Sequence, residues 1–428
     1  MLKQIRDKNI WVVYAAILGL GIAYGISMSL TAHYLDAHGF TKSQMGSLAA
    51  WFALGIVGFS LPSGAIVRRL SAKGTLLVSL AGYAVSVSVF PWLGTYQGVA
   101  AVRFFDGVFS VGIWVSCETI LLARAPKGQK ALVTSVYAMA MATGYMLGPF
   151  AARGIVGRAP MSLAFGIAGA LALASFGLVA ALMDKNPADL RSEEGEGTEG
   201  SEAGRATLGS LLWRIKTSCF ATFAYGYFQA SVVLFLPLFL AHEKHVSQER
   251  TIIVPAFFAA GMLLFSNVAG RLGDRYGHLA LMRVLGAIGL VMVLGFEFLD
   301  SYPLMCVAVF AAGATLASIS PVSLALQGVV TDRANLSRSN GIYNAFYAGG
   351  MLFGPAASGL LFERYGGGIM LDHLAVMWGA FVVFSIVFWR DDPASYRGVG
   401  QGKGPSHGPA PEGKAYAAFS ALPESPAA

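Results

Sequence analysis

Apolar stretches of about 20 residues, bounded by charged residues or by Gly and Pro, recur along almost the whole of this 428-residue chain. An α-helix rising ~1.5 Å per residue needs about that length to cross a ~30 Å hydrocarbon layer. In lipid, backbone N–H and C=O groups must be satisfied inside the segment itself, which restricts a spanning chain to helices or closed barrels. The short alternating runs of a β-barrel are missing. Only 12% of residues are charged and 55% are hydrophobic, against roughly a quarter charged in soluble domains. The expected fold is therefore all-α and integral to a membrane.

The apolar windows predict helices near 10–35, 45–67, 74–94, 97–122, 131–156 and 161–183. A second set follows near 215–241, 251–270, 279–299, 302–328, 340–362 and 370–389. The first run follows Met1–Lys8 directly and is longer than the apolar core of a cleavable signal peptide, so it reads as a retained helix. Residues 185–208 carry Glu193, Glu194, Glu196, Glu199 and Glu202 among glycines, the composition of an acidic tether. Residues 391–428, rich in Gly, Pro, Ser and Ala, are expected to be a disordered tail. These features divide the chain into a first bundle at 1–184, the tether, a second bundle at 209–390 and the tail.

The formal charge of +7 follows the membrane rather than a nucleic-acid surface. Of the 30 Lys and Arg residues, 23 fall on the side that carries both termini and six on the other, while Arg103 lies within the fourth predicted helix. The positive-inside rule then makes both termini cytoplasmic, in a multi-pass protein of the inner membrane. Cys117, Cys219 and Cys306 all lie in apolar segments without CxxC spacing, so neither disulfides nor a zinc site is expected. His242-Glu-Lys-His245 lacks HExxH spacing, no metal or other cofactor is indicated, and no GxxxxGK[ST] loop points to ATP.

An internal repeat is the most informative pattern. Gly64-Ala-Ile-Val-Arg68-Arg69, placed after the second helix, matches Gly270-Arg-Leu-Gly-Asp274-Arg275, placed after the eighth. Gly144, Gly148 and Pro149 of the fifth helix match Gly350, Gly354 and Pro355 of the eleventh, and Tyr137 matches Tyr343. Every one of these pairs is separated by 206 residues. Two parallel halves related about the membrane normal, with a cavity between them, are one way of building a transporter.

These residues resemble the major facilitator superfamily over about residues 1–390. Gly270 to Gly277 is similar to the signature between that superfamily's second and third helices. In the first half Arg68 replaces the signature's Asp, while Arg69 still matches. Arg103-Phe-Phe-Asp106-Gly107 and Gly144 to Pro149 resemble fourth- and fifth-helix motifs of the drug:proton antiporter branch, and Ile113-Trp114-Val115 with Glu118 is similar to a bacterial subgroup of drug-exporter-like members. The resemblance implies twelve helices in two six-helix bundles. It also implies that Gly64, Arg69, Gly270, Asp274 and Arg275 take part in gating, Asp274 and Arg275 by pairing with neighbouring helix ends in one state and releasing them in the other.

On the fourth helix, Gly107, Ser110, Trp114 and Glu118 share a stripe with Arg103, and Glu118 lies ~22 Å along the axis from it. A carboxylate in a low-dielectric cavity can load and release protons near neutral pH, which makes Asp106 and Glu118 candidate proton carriers with Arg103 as modulator. The alternative is a structural i, i+3 pair of Arg103 and Asp106, with Glu118 at the interface. Small residues at Gly144, Gly148, Gly350 and Gly354 let helices approach closely, and Pro149 and Pro355 permit kinks, so both segments read as packing seams that can also gate. Gly21xxxGly25 reads as packing alone.

Helices 1, 4, 7 and 10 line the pathway in the resembled superfamily, which nominates Tyr24, His33, Trp114, Tyr227, Gln229, Ser320 and Gln327. Tyr343, Asn344 and Tyr347 add a polar stripe on the eleventh helix. Aromatics with few hydrogen bonders suit a bulky amphipathic ligand better than a sugar. The expected protein is a monomeric secondary transporter exporting amphipathic small molecules in exchange for protons. Its alternatives are a proton-coupled metabolite importer and, in another class, a membrane enzyme or non-transporting sensor.

Overall fold

The computed structural model describes residues 7–125, 130–184, 207–332 and 335–393. All of it is helical or loop. Six helices form the first half: α1 (Lys8–Ala37), α2 (Lys42–Leu70), α3 (Ala72–Val89), α4 (Tyr96–Arg124), α5 (Lys130–Val156) and α6 (Met161–Leu182). The second half has α7 (Leu208–His242), α8 (Val254–Tyr276), α9 (His278–Phe296), α10 (Tyr302–Val330), α11 (Leu336–Tyr365) and α12 (Gly367–Val387). Among the described residues, ten of these are long and apolar enough to cross a membrane. The predicted acidic tether and tail fall mostly at residues 185–206 and 394–428, outside the described residues.

The helix starts are set by local chemistry. Thr41 and Gln44 form a reciprocal capping box on α2. Thr95 accepts from the Gly98 amide at α4, and Thr207, predicted to lie in the tether, accepts from the Ser210 amide at α7. Asp391 and Asp392, predicted to open the disordered tail, instead pack on the second half. Asp391 pairs with Lys216 at 2.7 Å, and Asp392 accepts from the Leu279 amide at 2.9 Å.

The two halves repeat each other in packing as well as in sequence. α1 packs on α5 as α7 does on α11, α2 on α4 as α8 on α10, and α3 on α6 as α9 on α12. The halves meet where α2 crosses α11 and α5 crosses α8. At the α2–α4 crossing, a Cβ on Gly55 would strike the Phe104 carbonyl and one on Gly107 the Phe52 carbonyl. At the α8–α10 crossing, Gly261 stands in the same way against Phe310 and Gly313 against Phe258. Each of these residues is 206 positions from its counterpart. The absence of a side chain lets the backbones touch, which supplies attraction where lipid removes the hydrophobic drive between helices.

The structure corrects several predicted boundaries. Gly64 to Arg69 lies in the last two turns of α2, and Gly270 to Arg275 in the last turns of α8, rather than in loops after them. Nothing in either segment breaks a helix, and long Arg side chains can reach the interface from a helix end. The break comes at Gly277, with φ +97°. Its counterpart in the repeat, Ser71, takes φ +69° and ψ 157° without being glycine. α10, predicted as continuous, is interrupted between Thr315 and Ile319, and α3 gives way to a 3₁₀ turn at Phe90–Trp92, where Pro91 sits.

Candidate functional site

The fourth helix brings two of its charged residues, Arg103 and Asp106, together. The Arg103 guanidinium reaches the Asp106 carboxylate at 2.5 Å, the i, i+3 pair anticipated from spacing, and stacks 4.5 Å from the centre of the Phe52 ring. Asp106 is only 8% exposed. Its other oxygen lies 3.5 Å from the Ser110 hydroxyl, which in turn accepts a hydrogen bond from Tyr24 of α1 at 2.5 Å. Tyr24 stands among aromatic rings, with Tyr83 at 4.6 Å, Tyr145 at 5.9 Å and Trp114 at 6.5 Å between centroids. A charged pair is thus linked, through one hydroxyl, to an aromatic cluster.

Glu118 is exposed, about four turns further along the same stripe. Trp114 lies partly buried between them, its indole N–H without a hydrogen-bond partner. Arg103 and Asp106 balance each other, so Glu118 carries the unbalanced charge of this stripe.

In the second half, the Tyr347 hydroxyl donates to the Gln229 side-chain oxygen at 2.9 Å, and its ring stacks on Tyr225 with centroids 6.0 Å apart. α5, which carries Tyr145, packs on α8 of the second half. Tyr343 donates to the Ser320 carbonyl at 3.0 Å and meets the Ser323 hydroxyl at 2.8 Å, tying α11 to α10. Gln327 is buried with its side-chain N–H₂ unpartnered, and Asn344 is exposed.

Two nominated residues stand apart from this group. Tyr227 packs toward α12, its ring 5.7 Å from His373, with its backbone pressed against Gly354. His33 lies near the far end of α1, where its Nε2 is 2.9 Å from the Thr251 hydroxyl of the second half. Sequence reasoning passed over Tyr83, Tyr145 and Tyr225. Tyr145 was findable as the residue beside Gly144, but α7 is buried around most of its circumference and nothing in its pattern separates the face of Tyr225 from that of Tyr227. An apolar recess lined by Phe228, Val232, Phe258, Met292 and Val309 lies within the second half, away from all of these polar groups.

The glycine motifs form seams in both halves. Gly144 and Gly148 face Gly21 and Gly25 of α1 backbone to backbone, while Gly350 and Gly354 face Phe223 and Tyr227 of α7. Pro149 and Pro355 continue their helices without ending them. At the helix ends, Asp274 meets His278 at 3.2 Å, and Arg275 lies over the Tyr276 ring at 5.2 Å. Gly64 lies within α2, Arg69 is exposed, and a Cβ on Gly270 would meet open space.

Two pseudo-symmetric six-helix bundles meeting along paired helices, with buried charge and aromatic rings near their interface, define a multi-pass membrane protein of transporter architecture. The chain belongs to the Major Facilitator Superfamily, whose model matches residues 12–217 and 218–424, two segments that begin 206 residues apart. It is 21% identical over 392 residues to the uncharacterized MFS-type transporter MJ1560 of Methanocaldococcus jannaschii, covering 89% of this chain and 96% of that one. It is also 21% identical over 375 residues to the uncharacterized MFS-type transporter YcaD of Shigella flexneri, covering 86% and 92%. In fold it is similar to a bacterial homolog of the human lysosomal transporter Spinster in an inward-facing and occupied conformation, with TM-score 0.75, 12% identity and coverage of 90% and 97%. It is likewise similar to the nucleoside transporter NupG, with TM-score 0.70, 13% identity and coverage of 90% and 99%.

Proposed function

We propose that this protein is a secondary active transporter that works by alternating access and exports amphipathic compounds in exchange for protons. The observation that carries this reading is the buried Asp106, paired with Arg103 and joined through Ser110 to Tyr24 inside the aromatic cluster. A substrate settling against those rings would disturb Tyr24, and through Ser110 the hydrogen bonding of Asp106. That gives substrate occupancy a route to the proton site. The exposed, unbalanced carboxylate of Glu118 and the rings of Tyr24, Trp114 and Tyr347 favour a cation with an apolar body.

The face carrying residues 7 and 393 is cytoplasmic in this reading, and the membrane is the inner one, from the bias of Lys and Arg. Among the described residues, four hydrogen bonds join the halves at the opposite face: Ser43 to Glu363, His242 to Asp36, Thr251 to His33, and Gln248 to Met161. These contacts support a state closed to the outside. The solved structures it resembles are transporters, which argues against an enzyme or a silent sensor. The functional unit is a single chain.

A second reading, a proton-coupled importer of a polar metabolite, draws on the Gln229–Tyr347 hydrogen bond and the exposed Asn344, which offer amide groups beside the stacked Tyr225 and Tyr347. Thermal unfolding of the purified protein against lipophilic cations, sugars, amino acids and organic acids separates the two, because a ligand of the folded state raises apparent stability. Export predicts stabilisation by lipophilic cations that weakens in Glu118→Gln. Stabilisation confined to polar metabolites would replace it with import.

A further inference from the structure

The second half holds a group of buried polar side chains that no step above uses. The Ser323 hydroxyl of α10 and the Tyr343 hydroxyl of α11 lie 2.8 Å apart, and both donate to the Ser320 carbonyl, at 2.8 and 3.0 Å. The Thr222 hydroxyl of α7 stands close to Tyr343 yet makes no hydrogen bond among the described residues. Ser218 is one turn before Thr222 on α7, and Gln327 one turn after Ser323 on α10, so each shares its neighbour's face. The Ser218 hydroxyl and the Gln327 side-chain N–H₂ are also unpartnered among the described residues. All five side chains are at most 4% exposed. A buried polar atom left unpaired is costly, so three on neighbouring helix faces point to an occupant. The repeat supplies an internal control. At the positions 206 residues earlier stand Val12, Ala16, Cys117 and Leu121, all buried, while Tyr137 matches Tyr343. The first half is thus built at this place with apolar packing around one tyrosine, so the fold itself does not require the polar groups of the second.

We propose that Ser218, Thr222, Ser323, Gln327 and Tyr343 form a sodium site between α7, α10 and α11. Ser323 and Tyr343 already donate their protons to the Ser320 carbonyl, which leaves their oxygen lone pairs for a cation. Ser218 and Thr222 can turn their protons to the carbonyl one turn back, as Ser and Thr do within helices, and so free their own lone pairs. A half-turn of the Gln327 amide presents its oxygen where its nitrogen now stands. The donor set is then five neutral oxygens. Calcium and magnesium are held largely through carboxylates, and this group has none, which points to a monovalent ion. Neutral oxygens can replace the hydration shell of an alkali ion, as backbone carbonyls do in channel filters. Oxygens already 2.8–3.0 Å apart suit sodium better than the larger potassium. The interruption of α10 between Thr315 and Ile319 falls just before Ser320. Interrupted helices supply the carbonyl ends and unwound backbone that hold sodium in transporters. The site uses neither Arg103 nor Asp106, so it stands independently of the export reading.

Thermal unfolding of the purified full chain, titrated with NaCl, KCl or choline chloride at constant ionic strength, reads the site. Sodium at a tenfold excess over its half-saturating concentration is expected to raise the midpoint by about 2 °C over choline, and potassium by less. Thr222→Val should lose this rise, while Thr222→Ser, which keeps the hydroxyl, should retain it. Ser231→Ala should retain it too, since that buried hydroxyl of α7 is bonded to the Tyr227 carbonyl. Each variant is compared with itself in choline, so any stability lost through the substitution alone drops out. Equal midpoints in the three salts, the result expected if the group holds only water, overturn the proposal. So does a rise as large in potassium as in sodium, or a sodium rise that survives in Thr222→Val.

Discussion

Substituting Gly148 by alanine tests whether the glycine seam between α1 and α5 is the close contact on which the first half is built. A Cβ at Gly148 would stand 2.5 Å from the Gly25 Cα, 2.6 Å from the Gly25 carbonyl carbon and 2.7 Å from the Ile22 carbonyl oxygen. Carbon atoms rest at about 3.5–4.0 Å, so the two helices must part by at least about 1 Å along the seam. All three obstacles are backbone, so no side chain can swing aside. Overpacking of this kind costs about 1–3 kcal/mol. The control is Gly166→Ala on α6, where nothing lies within 4 Å and the gain in helix propensity is up to about 1 kcal/mol. Thermal unfolding in one detergent, followed by intrinsic fluorescence, should rank Gly148→Ala below wild type and Gly166→Ala at or above it. Equal midpoints for the two variants would refute the reasoning, because only the seam distinguishes them.

Arg103→Ala should destabilise the fold by about 3 kcal/mol, since it strands the buried Asp106 carboxylate; Arg103→Leu with Asp106→Leu should recover most of that loss, as replacing both partners removes the stranded charge. Chemical unfolding of the single and double variants makes the comparison. Ser71→Gly should raise the unfolding midpoint by about 1 kcal/mol equivalent. It relieves a residue held at φ +69° and ψ 157°, strain worth about 1–3 kcal/mol, while a glycine cap gives up only a few tenths. Tyr347→Phe should weaken binding of a stabilising ligand, whereas Tyr227→Phe, packed toward His373, should leave it unchanged; a thermal-shift titration of both decides.

Much of the fold could be read from the chain because lipid leaves few options: each apolar run of sufficient length becomes a helix, and the 206-residue repeat dictates which helices correspond. The repeat reaches further than its glycine and proline motifs suggested. It extends to the crossings at Gly55 and Gly261, to the turn residues Ser71 and Gly277, and to Asp36 and His242. The first two need knowledge of which helices cross, and the last two belong to different halves that only the tertiary fold brings together. Arg103 and Asp106 were legible because charge inside an apolar helix is conspicuous. The aromatic partners were less so. Choosing between Tyr225 and Tyr227 requires the rotation of α7 about its axis, which a helix apolar on all sides does not encode in its pattern.

The central claim, proton-coupled export through Asp106, is tested most directly in proteoliposomes carrying an imposed pH gradient, with tetraphenylphosphonium as the transported probe and its concentration followed on both sides. Wild-type protein is predicted to drive the probe uphill against the proton flux. Asp106→Asn is predicted to retain probe binding while losing uphill movement. Probe movement that ignores the pH gradient in the wild type, or that is equally uphill in Asp106→Asn, would contradict the account.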